Sequence, residues 1–339
     1  MITAVRVLVA DEYLTFPPTD GGSRTLADLI RSLEELGAHV DVARSLDEVQ
    51  QLVADRVRWS VAFLSRPELT LRCAGVVAAV ADRLVYVGHD LHHRRLSAPG
   101  AAPNAGPVLA RAYESLERQC WQRCDVSIYP DPEEAAVAAE LVGPERARWF
   151  PYFRVDRVAE PAVRTGEELV FVGGVGHGPN TDGLRWYTND VLPLLDDPPP
   201  LDVVGHWPDD ARPTGSARHL RFVGVVDATE LERRLSSCAG VVVPLRAGAG
   251  VKSKVIDALA AAAPLVTTRV GMQGLAPSAP IAWVSDDPRD WVELLRRVAS
   301  ADDDVVARAR RGTRYVEERY GTSAYLAALA KIVPDLTTS

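Results

Sequence analysis

The chain has 339 residues, more than one small domain needs and enough for two domains with separate hydrophobic cores. Its composition, 47% hydrophobic and 25% charged, is typical of a globular protein and excludes a disordered or fibrous chain. A net charge of -8 disfavours a general nucleic-acid binder, because such proteins depend on neutralising phosphates. Any anion that binds this chain therefore needs a local positive site.

Apolar runs and cysteines indicate the compartment. No run approaches the roughly 18 apolar residues of a membrane-spanning helix, and the first residues are typical of a strand, not of a secretory leader. Cys120 and Cys124 share one face of a predicted helix, but Cys73 and Cys238 do not form the second pair that a zinc site requires. We therefore expect reduced, partly buried thiols in a cytoplasmic protein.

The N-terminal half alternates short apolar strands with amphipathic helices. The predicted strands are 4–10, 39–43, 61–64, 84–87 and 126–129. The predicted helices are 23–36, 46–55, 69–82, 108–123 and 132–141. Capping boxes are predicted at Ser45 with Glu48 and at Ser65 with Glu68. This alternation favours parallel pairing in a doubly wound sheet.

A second series follows a proline-rich, charged stretch. Its predicted strands are 169–172, 201–204, 241–243 and 265–267, and its predicted helices are 180–195, one opened by Asp227 with Glu230, and 251–262. We predict an α/β fold with two tandem Rossmann-like, doubly wound domains facing across a cleft. The expected limits are 1–155 for the first domain, 156–167 for a linker and 168–312 for the second. A C-terminal helix in 313–339 is expected to pack back toward the first domain.

The segment from Pro244 to Asp257 carries the strongest chemical signal. A buried strand leads through a glycine-bearing loop into a helix, whose exposed amides and dipole attract an anion. Lys252 and Lys254 oppose that dipole unless an anion lies there. They are also two of only three lysines among 38 basic residues. An exposed helix with a Lys–Asp surface pair is the alternative, which both observations disfavour.

Helix geometry separates the two lysines. Residues two positions apart point about 200° apart around a helix, so only one of them would face a ligand if the helix has already begun. Asp257 follows Lys254 by three residues and lies on nearly the same face. We therefore predict a diphosphate at Lys254 and ribose hydroxyls at Asp257.

The segment resembles the donor loop of retaining GT-B glycosyltransferases, the group 1 or family 4-like branch with a PLR-x-GAGVK-x-K pattern. Two other stretches are similar to that branch, the glycine turn after 169–172 and the VTT-x-x-G-x-x-G-L run near 266–275. The resemblance implies transfer with retention of anomeric configuration, no required metal, and a nucleoside-diphosphate sugar as co-substrate without a tightly bound cofactor. It implies a donor-nucleotide site at Gly21, Gly22, Gly173, Gly174, Gly250, Val251, Lys254, Asp257, Gly271 and Met272.

Two segments of the N-terminal half match less closely. Gly21 and Gly22 lie between a strand and a helix, where glycines allow a close ligand approach, although a plain tight turn fits equally well. His89 and Asp90 resemble the family's HD-L-H segment, which implies that they face the transferred sugar. With Arg246 and Lys254 they are the predicted catalytic residues. A metal at His89, His92 and His93 is disfavoured, since no carboxylate or cysteine cluster accompanies them.

The sequence departs from the family pattern at two points. Relatives place a glutamate eight residues before the position of Asp257, where this chain has Ala249. The basic residue that often follows the first C-domain glycine turn is missing as well, and Arg246 is the expected substitute. These departures leave the donor sugar, the base and the acceptor open.

A retaining glycosyltransferase acting on a sugar nucleotide and a small-molecule or glycan acceptor is therefore the leading hypothesis. A catalytically silent sugar-nucleotide-binding protein of the same fold is the alternative outside enzymes, and a sugar-nucleotide epimerase is the alternative enzyme. A nicotinamide oxidoreductase is disfavoured because no G-x-G-x-x-G is present. Nucleic acid is not an expected partner, and contact with a membrane surface and the oligomeric state stay open.

Overall fold

The computed structural model describes residues 5–18, 20–97, 106–162, 164, 166–213, 219–300 and 302–337. These residues form two compact units. The first contains the described residues up to Arg154 outside the stretch near 98–104, together with those from Tyr320 on. The second runs from Val155 to Arg319. Residues 156–162, predicted as part of a linker, group with the second unit, and the predicted domain limits stay a prediction.

The first unit is built on a six-stranded parallel sheet with the order β2-β1-β3-β4-β5-β6. The strands are β1 (Arg6–Ala10), β2 (His39–Ala43), β3 (Val61–Ser65), β4 (Leu84–Val87), β5 (Val126–Tyr129) and β6 (Ala147–Trp149). The helices are α1 (Gly21–Glu35), α2 (Leu46–Ala54), α3 (Pro67–Val77), α4 (His92–Ser97), α5 (Pro107–Arg123) and α6 (Pro132–Val142). Helices cover both faces, so β3, β4 and β5 are buried along their whole length and are apolar almost throughout.

One predicted cap in this unit is wrong. Helix α3 begins at Pro67, and its N-cap is Arg66, which makes no side-chain capping bond. Ser65 instead ends β3, and its hydroxyl bonds to Asp11. At the other predicted box, Ser45 does accept the backbone N–H of Glu48, but the Glu48 carboxylate accepts from Arg44 and not from Ser45.

The second unit has a six-stranded parallel sheet with the order β12-β11-β10-β7-β8-β9. Its strands are β7 (Leu169–Val172), β8 (Leu201–Val204), β9 (Leu220–Gly224), β10 (Gly240–Val243), β11 (Leu265–Thr267) and β12 (Trp283–Val284). Its helices are α7 (Gly178–Trp186), α8 (Ala228–Ser237), α9 (Ser253–Ala260), α10 (Pro288–Ser300) and α11 (Asp303–Tyr320), whose last residue is counted with the first unit.

Two helices of the second unit differ from their predictions. The predicted helix 180–195 is α helical only to Trp186, and a π turn and a 3-10 turn complete it. Pro193 lies in that final turn, where it has no N–H to continue an α helix. Helix α9 begins at Ser253, two residues later than predicted. Lys252 therefore precedes the helix.

The C-terminal residues complete the first unit. Helix α12 (Thr322–Ile332) buries Tyr325, Leu329 and Ile332 in the same hydrophobic cluster as the apolar face of α1. Arg154 supports this packing, since its guanidinium donates to Ser32 and to Glu35, both on α1. Within the described part of the chain, no helix combines the length and apolarity needed to cross a bilayer.

The four cysteines are free and buried, more completely than the partial burial that the sequence predicted. Burial raises the pKa of Cys73 to about 11 and that of Cys124 to about 12, so these sulfurs are protonated near neutral pH. Among the described residues, no group of three or more His, Cys, Asp or Glu side chains is arranged to hold a metal ion.

Candidate functional site

Each sheet has one point where its connections leave in opposite directions. In the first unit this point lies between β1 and β3, and in the second between β7 and β10. Ligands of open parallel sheets bind beyond the carboxyl ends of the strands at such points. Asp11 and Ser65 lie at the first point, and Gly173 and Pro244 follow the two strands of the second. The candidate site residues of each unit gather at these places.

Lys254 is the central cation of the second unit. Its ammonium donates to Oδ1 of Asn180 at 2.5 Å and lies 5.1 Å from the centre of the Phe171 ring. Burial, together with the positive charge of Lys252, lowers the pKa of Lys254 to about 7. A half-buried ammonium whose charged form is disfavoured gains most from a bound anion. The environment of Lys254 therefore suits a phosphate ligand.

Lys252 bonds to the backbone of its own loop. Its ammonium donates to the carbonyl oxygens of Gly250 at 2.5 Å and Ala249 at 3.1 Å, and lies 3.4 Å from Oε1 of Gln273. The sequence argument that the two lysines point in different directions requires both to be helical. Lys252 lies before the first turn of α9, so that argument does not apply. Lys252 instead holds the loop in shape. Gly250 has a φ of 66°, in the left-handed region that favours glycine.

Asn180 joins the two loops of this site. Its amide nitrogen donates to the carbonyl of Gly174 at 3.0 Å, while its oxygen accepts from Lys254. The side chain lies directly over Gly173, where an added Cβ would come within 2.7 Å of it. Gly173 and Gly174 thus provide the space and the acceptor that fix Asn180, and Asn180 fixes Lys254. In place of the basic residue expected after this turn, the chain has an amide that orients a lysine from the first turn of α9.

We expect Gly173→Ala to weaken nucleotide binding, because the new methyl group would displace Asn180 and with it the ammonium of Lys254. Gly176→Ala is the matched control in the same loop, since an added Cβ there meets nothing within 4 Å. Dissociation constants from calorimetry should rise about tenfold for Gly173→Ala and stay unchanged for Gly176→Ala. Equal constants for both variants would contradict the role given to Gly173.

The other predicted residues of the second unit lie around this centre. Arg246 forms a bidentate ion pair with Asp182, at 2.6 and 3.0 Å, so its charge already has a carboxylate partner. Asp257 is half-buried on α9, one turn after Lys254, and Val251 is half-buried just before the helix. Gly271 is packed so closely that a Cβ would meet Oγ1 of Thr267 at 1.9 Å. Met272 is half-buried in the same turn, where its N–H donates to Thr268.

Gly21 and Gly22 do not form a loop. They are the first two residues of α1, and Asp20 is its N-cap in a capping box with Ser23. The alternative of a plain turn is also wrong for this reason. A Cβ on Gly22 would lie 3.4 Å from the Arg66 guanidinium and 3.7 Å from the His89 ring. The start of α1 therefore borders the cluster around His89.

His89 lies in a charged cluster after β4. Its Nε2 is 2.8 Å from the Ser65 hydroxyl and 3.8 Å from Oδ2 of Asp11. The same Asp11 oxygen accepts from Ser65 at 2.5 Å and from Nε of Arg66 at 3.0 Å. Burial alone would raise the pKa of Asp11, but the nearby His89, Arg66 and Ser65 hold it at about 2. Asp11 is therefore an ionised carboxylate inside the protein.

Asp90 contacts other residues than its neighbour His89 does. Its carboxylate lies 3.3 Å from Nδ1 of His92 and 3.4 Å from Nε of Arg95. His92 and His93 both approach the buried Glu117, whose carboxylate accepts the backbone N–H of His92 and contacts Nδ1 of His93. His92 and His93 therefore belong to a structural network with Glu117 and Asp90, whereas His89 belongs to the cluster around Asp11. The catalytic role of Asp90 stays a prediction.

Sequence reasoning missed Asp11, Ser65, Arg66 and Gln273 as site residues. A signal for the first two was present, because each is a polar residue at the end of a buried strand that points toward the ligand edge of a parallel sheet. Ser65 was assigned to a helix cap, which hid that signal. Gln273 is 21 residues beyond Lys252, and only the fold brings it close to the loop.

Part of the chain matches a known protein family. Residues 166–301, which are less than half of the chain, match the family model described as Glycosyl transferases group 1. This segment, which contains the Lys254 site, therefore matches the group 1 glycosyltransferases that the sequence motifs resemble, while retention of configuration stays a prediction. No curated protein sequence matches the chain.

Solved structures show the same fold over most of the chain. Sucrose-phosphate synthase from Thermosynechococcus elongatus superposes with a TM-score of 0.75 at 14% identity, over 98% of this chain and 99% of that one. HepE of Anabaena in complex with UDP-glucose gives 0.70 at 12% identity, over 97% and 99%. TarM gives 0.66 at 12% identity over 86% of this chain, which spans only 58% of TarM. The predicted two-domain, Rossmann-like GT-B fold is confirmed.

Proposed function

We propose that this chain transfers a sugar from a nucleoside-diphosphate donor to a carbohydrate or small-molecule acceptor. The observation that carries the proposal is Lys254, a half-buried ammonium with a lowered pKa at the β7–β10 switch point, within a segment that matches group 1 glycosyltransferases. Lys254 and the amides at the start of α9 would stabilise the leaving diphosphate, and Asp257 would accept hydrogen bonds from the ribose. The buried free thiols support the expected cytoplasmic location.

Retention of configuration and His89 at the reaction centre are part of the same proposal. The resemblance supports front-face attack, with the departing diphosphate assisting deprotonation of the acceptor. No carboxylate nucleophile is then needed. A catalytically silent binding protein would bind the nucleotide without turnover. An epimerase would change the donor sugar without needing an acceptor.

A panel of nucleoside diphosphates tests the proposal. UDP is the first probe, because HepE has been crystallised with UDP and UDP-glucose. A ligand at 100 times its dissociation constant should stabilise the protein by about 2.7 kcal/mol and raise its melting temperature accordingly. GDP and dTDP complete the panel, and turnover of the matching sugar nucleotide follows. The proposal fails if no nucleoside diphosphate shifts the melting temperature at millimolar concentration.

We expect transfer to proceed without a divalent metal. The lysine and the helix amides would supply the positive charge that a metal provides in other phosphate sites. Initial rates in excess EDTA should equal rates with added magnesium or manganese. A loss of activity in EDTA that either ion restores would show that a metal takes part.

A further inference from the structure

The hydroxyl of Ser65 lies between His89 and Asp11. It is 2.8 Å from Nε2 of His89 and 2.5 Å from Oδ2 of Asp11, and it is buried. A serine hydroxyl carries one proton, so it donates to only one of these two neighbours. The direction of that bond decides which nitrogen of His89 carries a proton.

The contacts of Asp11 settle the direction. Its Oδ1 accepts the backbone N–H of Tyr13 at 2.7 Å, and its Oδ2 accepts from Nε of Arg66. Both oxygens therefore act as acceptors, as an ionised carboxylate requires. If Ser65 donated to His89, two oxygens would face each other at 2.5 Å without a proton between them. Ser65 therefore donates to Asp11, and Nε2 of His89 donates to Ser65.

This order separates the cluster from a Ser–His–Asp nucleophile triad. In such a triad the histidine accepts the serine proton and the carboxylate contacts the other ring nitrogen. Here serine is the middle member, it is fully buried, and its proton faces the carboxylate. Ser65 is thus unsuited to attack a substrate. The chain of donors runs from His89 through Ser65 to Asp11.

We propose that Ser65 and Asp11 are positioning residues that fix His89 as its Nε2–H tautomer, which leaves Nδ1 to accept a hydrogen bond from a hydroxyl of the carbohydrate substrate. The inference deepens the proposed function and rests on it for the identity of that hydroxyl group. Arg66 completes the arrangement. Its guanidinium pairs with Asp11 and lies 4.4 Å from the Tyr13 ring, while its backbone has a φ of 66°. A non-glycine residue in this strained region is common at functional sites.

The tautomer is measured by ¹⁵N NMR of the imidazole in the protein without nucleotide, at a pH where His89 is neutral. His89→Gln identifies the signals. Wild-type protein should show an unprotonated Nδ1 and a protonated Nε2. A populated Nδ1–H form in wild-type protein would overturn the proposal without any need for a variant at Ser65.

Ser65→Ala removes the hydroxyl that lies between His89 and Asp11. A fraction of the Nδ1–H tautomer of His89 should then appear. The kcat should fall at least tenfold, while the KM for the donor stays within twofold. Ser65→Thr keeps the hydroxyl and should restore both. Ser127→Ala is the matched control, because Ser127 is a fully buried serine of the same unit whose hydroxyl has no hydrogen-bond partner among the described residues. It should change neither quantity. A single Nε2–H tautomer with wild-type kcat in Ser65→Ala would show that Ser65 is only a core residue.

The outcome is distinguishable from failure of the proposed function. If the tautomer is as expected but no nucleoside diphosphate shifts the melting temperature, the fixed imidazole stands and sugar transfer is refuted. If nucleotide binding and turnover are found with a mixed tautomer in wild-type protein, sugar transfer stands and the positioning role is refuted.

Discussion

Lys254→Ala is expected to lower kcat/KM for the sugar nucleotide about a hundredfold or more. The ammonium would meet the diphosphate as negative charge develops on it, within a half-buried site where Asn180 and Phe171 fix its position. Removal of one such charge-stabilising donor costs on the order of 2–4 kcal/mol in the transition state. Steady-state kinetics with the donor that binds in the nucleotide panel measure the effect.

Lys331→Ala is the matched control, since Lys331 is the one lysine of the sequence besides Lys252 and Lys254 and is exposed on α12. It should leave kcat/KM unchanged. Lys252→Ala should cost less than Lys254→Ala, and mainly through a looser loop, because the Lys252 ammonium bonds to the carbonyls of Ala249 and Gly250. If all three variants lose activity equally and slightly, the donor site has to be sought elsewhere.

The lowered pKa of Lys254 adds a pH signature to the same prediction. With a pKa of about 7 instead of 10.5, Lys254 is largely neutral at pH 8.5 in the free protein. A bound diphosphate favours the charged form, so binding at this pH should take up a proton, and affinity should fall as the pH rises above 7. Calorimetry in buffers of different ionisation enthalpy measures this uptake. It should be smaller by nearly one proton in Lys254→Ala.

The lowered pKa of Lys254 also makes the free energy of unfolding depend on pH. Between pH 7 and 10.5 the unfolded chain holds a proton on Lys254 that the folded chain largely lacks. Stability therefore rises with pH across this window, and falls as the pH drops toward 7. Lys254→Ala should remove this component of the slope.

Much of the arrangement around Lys254 could be predicted from sequence because its parts are adjacent in the chain. Strand β10, the glycine loop and α9 are consecutive, and β7 with its glycine turn is equally local. The predicted strands 169–172, 201–204 and 265–267 match the structure residue for residue. Each is a short apolar run bounded by breakers, a pattern that identifies a buried parallel strand well.

The errors arose where a residue has a tertiary partner that competes with its local role. Ser65 fits a capping box, but the carboxylate of Asp11, 54 residues away, takes its hydroxyl bond. Lys252 looks like a helical residue, but the loop carbonyls and Gln273 hold it outside α9. The strands β6, β9 and β12 were not predicted, because β12 has only two residues and an arginine interrupts the apolar run in both β6 and β9.

His89→Ala is expected to lower kcat about a hundredfold while the nucleotide dissociation constant and the melting temperature change little. The reason is that the ring is only 14% exposed but lies at the ligand edge of the sheet, bonded to Ser65 and bordered by the start of α1. General acid–base or hydrogen-bonding groups in such places typically contribute a factor of 10² to 10⁴. His39→Ala is the control, since that side chain is 61% exposed on β2 of the same unit.

The isosteres of His89 separate its two ring nitrogens. Asparagine places an acceptor oxygen near the position of Nδ1, whereas glutamine keeps a donor near Nε2 for Ser65 but has nothing at Nδ1. If Nδ1 accepts from the substrate, His89→Asn should retain clearly more turnover than His89→Gln, although Gln preserves the contact with Ser65. A large drop in melting temperature with a proportionate loss of activity in all three variants would instead identify His89 as a core residue. The reverse order, with Gln the better substitute, would show that Nε2 and its bond to Ser65 matter more than an acceptor at Nδ1.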